Sequence, residues 1–331
     1  MEKKRILITG ASGFVGSFLV EEAIQRGYSV YAGIRKSSSR AFLQHKDIKF
    51  VTIDFNDFNA LQTLFDNQYF HYIIQNAGIT KARNEAEYYD VNAFALQKLV
   101  KALYANERLP EKFIFMSSMA AYGPADFTQN GLVSINSTPH PVTTYGKSKL
   151  LGENLLKEFD TLPYHILRPT AVYGPREKDL LTLYKTIQRG WEVYIGSQPQ
   201  QLTFVYVKDL VDATMNLLNL EKSGTSYFIS DGNYYYSHEF YQMIAEILKR
   251  KTCKIHIPVV VIKGLAYLNQ ILSAMRGNYP AFNLEKVNEL KSLSWKCDII
   301  PLINDIGYQP QYPLKKGLQE TLEWLQSQNE L

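Results

Sequence analysis

The sequence predicts an α/β fold, a doubly wound parallel sheet with a smaller, mostly helical domain at its C-terminal side. Three observations lead there. Short apolar runs alternate with helical patterns from Arg5 to Thr170, a glycine-rich turn stands between the first run and the first helix, and the alternation fades after Thr170. Apolar runs separated by helices describe βαβ units, whose strands are buried on both faces. Right-handed crossovers then cover both faces of the sheet.

The elements follow in order. Arg5–Thr9, "RILIT", reads as the first strand, and "FLVEEAIQRG" has helical spacing and stops on Gly27. "YSVYAGIR" and "IKFVTID" read as strands, then "NDFNALQTLF" as a helix capped by Asn56 or Asp57. Next come a strand in "YFHYIIQNAG", a long helix in "EAEYYDVNAFALQKLVKALYAN" and a strand in "KFIFMSS". The helix of "YGKSKLLGENLLKEF" and the strand of "YHILRPT" complete the regular part. Beyond it, "LTLYKTIQRG", "HEFYQMIAEILKR" and "KKGLQETLEWLQSQ" read as helices, and "LTFVYVKDLVDATMNLLNL" as a strand running into a helix. The boundaries drawn are 1–174 for the first domain, with 203–220 returning to it, and 175–331 for the second.

Bulk properties narrow the function. With 331 residues, 46% hydrophobic and 21% charged, the chain has an ordinary globular composition. A net charge of +4, with both signs interspersed, gives no case for a nucleic-acid partner. Two cysteines, Cys253 and Cys297, are too few for a disulfide framework. The histidines (His45, His71, His140, His165, His238, His256) show no ligand spacing, so no metal site is expected. The start lacks the apolar length of a secretory signal. Ile255–Met275, the most membrane-like stretch, is interrupted by His256, Lys263, Asn269 and Gln270 and broken by Pro258 and Gly264. It reads as a strand end and a buried helix, with an interfacial membrane contact as the alternative, so no membrane span is expected, and the cytoplasm is the default location.

"TGASGFVG" puts Gly10, Gly13 and Gly16 between the first strand and first helix. Glycines permit a tight turn and close backbone approach, and a helix N-terminus offers free N–H groups to a pyrophosphate. Gly10, Ser12, Gly13, Phe14, Val15 and Gly16 are therefore the candidate dinucleotide cradle. In "YGKSK", Tyr145 and Lys149 share a helix face at i and i+4. An ammonium near a phenol favours the phenolate and makes the tyrosine usable as an acid/base.

With "TGASGFVG", "MSSMAAYG" and "YGKSK" together, the chain resembles the extended branch of the short-chain dehydrogenase/reductase superfamily, closely in the first domain and more loosely after it. The resemblance implies a Rossmann domain and a Ser-Tyr-Lys triad. Tyr145 is the proton donor/acceptor, Ser118 bonds the substrate oxygen, and Lys149 modulates the phenol and clamps the ribose. Asn92 matches the family's asparagine in the preceding helix. Asn76, Ala77 and Gly78 lie along the cofactor, although extended members often carry histidine at the first position. Asp54, with Phe55, matches the adenine contact. Pro169, Thr170 and Val172 flank the nicotinamide, while Met119, Tyr173 and Arg176 face the substrate.

NAD-specific relatives carry an acidic residue where this chain has Ile34, followed here by Arg35 and Lys36. These two cations favour NADP, with NAD possible. Nucleotide-sugar enzymes of the branch carry an arginine where this chain has Leu202, which counts against such a substrate; Arg176, Lys178, Lys185 and Arg189 are the available substitutes. The aromatic stretches "NYYYSHEFY" and "MRGNYPAFN" hint at a more apolar one. The expectation is thus an NAD(P)-dependent oxidoreductase acting on a small-molecule carbonyl or alcohol. The alternatives are a nucleotide-sugar epimerase or dehydratase with tightly bound NAD, and a silent dinucleotide sensor. The family also implies a homodimer built on a four-helix bundle.

Overall fold

The computed structural model of the chain describes residues 3–125, 131–196, 200–275, 287, 292 and 294–331. The regular half contains strands β1 (Arg5–Thr9), β2 (Ser29–Ile34), β3 (Lys49–Thr52), β4 (Tyr72–Gln75), β5 (Lys112–Met116) and β6 (Tyr164–Pro169). Its helices are α1 (Phe14–Gln25), α2 (Phe58–Asn67), α3 (Glu85–Tyr89), α4 (Ala95–Ala105) and α5 (Thr144–Lys157). A π-helical turn, Asp90–Phe94, joins α3 to α4. After β7 (Ala171–Tyr173) come α6 (Leu181–Gln188), β8 (Trp191–Ile195), β9 (Gln201–Leu202), β10 (Phe204–Tyr206) and α7 (Val207–Leu217). The remainder is β11 (Thr225–Ile229), β12 (Tyr235–Tyr236), α8 (Ser237–Ile247), β13 (Cys253–Ile257), α9 (Val259–Met275), α10 (Ile300–Ile306) and α11 (Leu314–Ser327).

Seven strands form one parallel sheet in the order β11-β6-β5-β4-β1-β2-β3. The order reverses between β1 and β4, and the crevice at that switch point is where doubly wound sheets bind ligands. Strand alternation divides the core into two layers. Ile6 and Ile8 belong to the layer of α1 and α7, with Leu19, Val20, Leu210 and Met215. Leu7 belongs to the layer of α2 and α4, with Phe65, Leu96, Leu99 and Leu103. Helix α7 is strapped to α1 by Arg26, which reaches both Asn216 (2.7 Å) and Asp212 (2.6 Å). Strand β11, pairing with β6, was not among the strands read from the sequence.

A second core gathers Tyr173, Tyr184, Phe204, Tyr206 and Phe240 around Leu314, Leu318, Leu322 and Leu325 of α11. Two-stranded pairs β10-β7, β12-β9 and β13-β8 accompany it. Helix α9 sits on the β8–β13 pair through Ile262 and Ala266, which meet Ile195 and Ile257. The helix expected to be buried is not: Val260 is 80% exposed, and Leu265, Tyr267 and Leu268 are each more than half exposed. Ile262 and Ala266 are its buried positions among the described residues. Among those residues no helix is long and apolar enough to cross a membrane.

Candidate active site

The glycine-rich turn packs too closely for any other side chain. A Cβ on Gly16 would stand 2.1 Å from the Gly10 carbonyl oxygen, and one on Gly10 would stand 2.8 Å from Ala77 Cα. Gly13 caps α1 with no side-chain hydrogen bond, and the first turn carries no acidic residue. No side-chain oxygen therefore competes for the first N–H groups of α1. Thr9 fixes the neighbouring strand exit: its Oγ1 accepts from Asn76 N (3.1 Å) and Ala77 N (3.0 Å) and donates to Gln75 Oε1 (2.8 Å). The two loops at the switch point are thus tied together through Thr9.

At the outer edge, Arg35 and Lys36 follow β2 and are exposed. A turn closes through Ser38 N to Arg35 O, 3.0 Å. Among the described residues neither side chain is hydrogen-bonded or ion-paired. Asp54, after β3, is also exposed, and its carboxylate accepts from Asn56 N at 2.9 Å. Phe55 packs against the α2/α4 layer. Pro169, the last residue of β6, and Thr170 are buried and Val172 is half-buried, with Thr170 N donating to Ile229 O of β11 (3.1 Å).

Thr143 caps α5, its hydroxyl accepting from Gly146 N at 3.1 Å. A Cβ on Gly146 would lie 2.2 Å from the Ala120 carbonyl oxygen, so the first turn of α5 rests directly on the 3-10 turn Met119–Ala121. Ser118 caps that short turn. Its Oγ accepts from Ala120 N (3.1 Å), and among the described residues its O–H has no acceptor. Tyr145, half-buried, and Ser118 consequently flank the same contact at the carboxyl edge of the sheet. The Tyr145 ring lies 6.4 Å from that of Tyr88.

Lys149 is 4% exposed and donates to the Met116 carbonyl at 2.9 Å. Burial lowers its pKa to about 8, against the opposing charge of Glu153. Its Nζ would stand 2.9 Å from a Cβ on Gly78, and Asn92 Oδ1 3.0 Å from the same point. Asn92 is buried in the π-helical turn and fully used: Oδ1 accepts from Ile79 N (2.9 Å), and Nδ2 donates to Ile79 O and Ser148 Oγ (both 3.0 Å). Ser148 Oγ in turn donates to the Tyr145 carbonyl (2.7 Å). Asn92 therefore ties the cofactor-side loop to the helix of Tyr145 and Lys149.

Three residues assigned to the substrate wall lie elsewhere. Tyr173 is fully buried in the second core, its hydroxyl directed to Leu314 O at 3.4 Å. Arg176 reaches back to α1, bonding Ser17 Oγ (2.9 Å) and Glu21 (2.7 Å) and stacking over Phe18 (4.3 Å). Its backbone is left-handed, φ 75°, a strain for a non-glycine residue that these anchors offset. Met119 is buried with Tyr122, Val133 and Phe228. Side chains of this loop type point wherever their long-range partners stand, which local sequence does not encode. "MRGNYPAFN" lies, after its first residue, outside the described residues.

Two buried residues, Glu153 and Arg168, were not singled out in the sequence. Ser117 donates to Glu153 Oε1 at 2.5 Å, and Glu153 pairs with Arg168 of β6. The signal was present: an arginine inside the apolar run "YHILRPT" must find a partner.

Residues 6–230 match the sequence model of the NAD dependent epimerase/dehydratase family. The chain belongs to this family. It is 25% identical over 322 residues to a ceramide reductase of Caulobacter vibrioides, covering 96% of this chain and 93% of the relative. It is 26% identical over 335 residues to the N-acetyl-alpha-D-glucosaminyl-diphospho-ditrans,octacis-undecaprenol 4-epimerase of Escherichia coli O157:H7, covering 96% and 94%. In fold it is similar to the UDP-glucuronic acid 4-epimerase of Bacillus cereus solved with NAD, with a TM-score of 0.76 and 22% identity over 98% and 99% of the two chains. As a family member the chain is a nicotinamide-dependent enzyme with an extended short-chain dehydrogenase/reductase architecture.

Proposed function

We propose that this family member is a reductase or dehydrogenase that interconverts a carbonyl and an alcohol. The observation that carries the reading is the uncommitted hydroxyl of Ser118 beside the first turn of α5, which bears Tyr145. Ser118 donates to the substrate oxygen, and Tyr145 gives that oxygen its proton in reduction or removes it in oxidation. Lys149, with a depressed pKa, keeps a cation near the phenol and bonds the ribose once it leaves the Met116 carbonyl. Asn92 holds these residues in register. The nicotinamide, when bound, supplies or accepts the hydride at the carbon. Gly10, Ser12, Gly13, Phe14, Val15 and Gly16 would hold its pyrophosphate, Asp54 and Phe55 the adenine, Asn76–Gly78 the ribose side, and Pro169, Thr170 and Val172 the nicotinamide. Arg35 and Lys36, exposed and among the described residues not hydrogen-bonded through their side chains, favour the extra phosphate of NADP.

A nucleotide-sugar epimerase or dehydratase with bound NAD is the second reading, favoured by the activities of the sugar-epimerising relatives. Against it stand Leu202, which cannot donate to a diphosphate, and Arg176, already committed to Ser17 and Glu21. Denaturing the purified protein and weighing any released nucleotide by mass spectrometry separates the two. An empty protein that binds NADPH ahead of NADH supports the reductase; stoichiometric retained NAD(H) overturns it. We also read the protein as a cytoplasmic homodimer paired through α4 and α5, a state that light scattering measures directly.

A further inference from the structure

The surface around β13 and α9 inverts the usual rule for a helix on a soluble protein, in which the outward face is polar. Ile262 and Ala266 fill the inward stripe. Outward lie Val260 (80% exposed), Val261, Leu265, Tyr267 and Leu268. Trp191 and Ile255, on the adjoining pair β8 and β13, are exposed as well. A contiguous apolar face of this kind marks an interaction site.

Within this segment the charges have one sign. From Ile247 to Met275 the chain holds Lys249, Arg250, Lys251, Lys254 and Lys263 and no aspartate or glutamate. All five are exposed, and among the described residues none is ion-paired. A second copy seated on this face by two-fold symmetry would set these cations against one another. A basic rim with Trp and aliphatic side chains fits anionic headgroups with acyl chains beneath them. At 17 residues, α9 spans about 25 Å and is too short to cross a bilayer, while its exposed apolar side chains suit it to lie along the surface.

We propose that β13 and α9 form a docking surface for an anionic lipid bilayer, with α9 lying in the headgroup plane. The surface is separate from Ser118, Tyr145 and Lys149, so docking does not depend on the hydride-transfer reading.

Flotation of the full chain with phosphatidylcholine vesicles, with and without a third of the lipid replaced by phosphatidylglycerol, tests it. The protein floats with the anionic vesicles at low salt, about tenfold or more better than with the neutral ones, and salt weakens the binding. Val260→Asp and Leu268→Asp, at exposed positions outside the core, reduce binding by about tenfold or more. Lys251→Glu with Lys254→Glu removes the preference for anionic lipid. All variants keep the wild-type circular dichroism and nucleotide binding. No flotation of the wild type, or equal flotation of wild type and variants, overturns the proposal. So does a fall in oligomer mass by light scattering in Leu268→Asp when vesicles capture neither protein, which would make the face a contact between copies.

Discussion

Arg168 on β6 grips Glu153 on α5 through two hydrogen bonds, Nε to Oε1 at 2.8 Å and Nη2 to Oε2 at 2.7 Å, with both side chains fully buried. The guanidinium lies 4.3 Å over the Tyr122 ring and 5.2 Å from Phe228. Ser117 adds a third bond to the carboxylate. Helix α5 carries Tyr145 and Lys149, so this pair fixes the helix of the proposed catalytic residues to the sheet. Removing one partner strands a buried charge and costs about 3–5 kcal/mol. Glu153→Leu and Arg168→Met each lower the urea midpoint strongly, while the double substitution recovers much of the loss. Additive losses in denaturation curves would refute the pairing argument.

Tyr145→Phe deletes one oxygen and leaves the ring against Tyr88. Turnover falls by about 100-fold or more, with nicotinamide affinity, read by fluorescence titration, changed little. Ser118→Ala gives a smaller fall confined to turnover. Unchanged turnover in Tyr145→Phe would remove that residue from the chemistry.

Lys149 links function to stability. Its folded pKa of about 8 lies below the ordinary 10.5, so below about pH 8 the folded state bears a buried ammonium that the unfolded chain hydrates. Between about 8 and 10.5 the unfolded chain binds a proton that the folded one has lost, and this group's contribution to stability rises with pH. Lys149→Met therefore stabilises the cofactor-free protein at pH 7 by about 1–3 kcal/mol, while turnover falls. The gain narrows as pH rises through 8. Denaturant unfolding of both proteins at pH 7 and pH 9 checks the sign.

Arg35→Ala with Lys36→Ala removes the two exposed cations after β2. The preference for NADPH over NADH drops about tenfold or more, through weaker NADPH binding rather than stronger NADH binding. Isothermal titration with both cofactors measures it; an unchanged ratio would place the 2′-phosphate contact elsewhere.

The sheet and its glycine-rich turn were legible because their signals are local. "RILIT" is apolar enough to be buried on both faces, and Gly10 and Gly16 stand where no Cβ fits. Strand β11 was not, since "TSYFI" is no apolar run and owes its place to pairing with β6. The motifs led to Ser118, Tyr145, Lys149 and Asn92, and Asn92 is tied to the helix of Tyr145 and Lys149 through Ser148. Arg176 and Tyr173 were misread because their partners, Glu21 and Leu314, are distant in sequence. For α9, apolar composition was taken as burial, and composition alone does not tell which side of a helix is covered.

The leucines of α11 close the second core around Tyr173 and Tyr206, and Gly317 abuts the Tyr173 hydroxyl, which a Cβ would meet at 2.3 Å. Translation therefore sets a sequence of events. By Ile229 all seven strands of the sheet have been synthesised, whereas the tyrosines beyond β6 wait for Leu325 before their last wall arrives. A nascent chain stalled in this interval presents the strands of the sheet joined to an open aromatic face, the kind of surface that holdase chaperones bind.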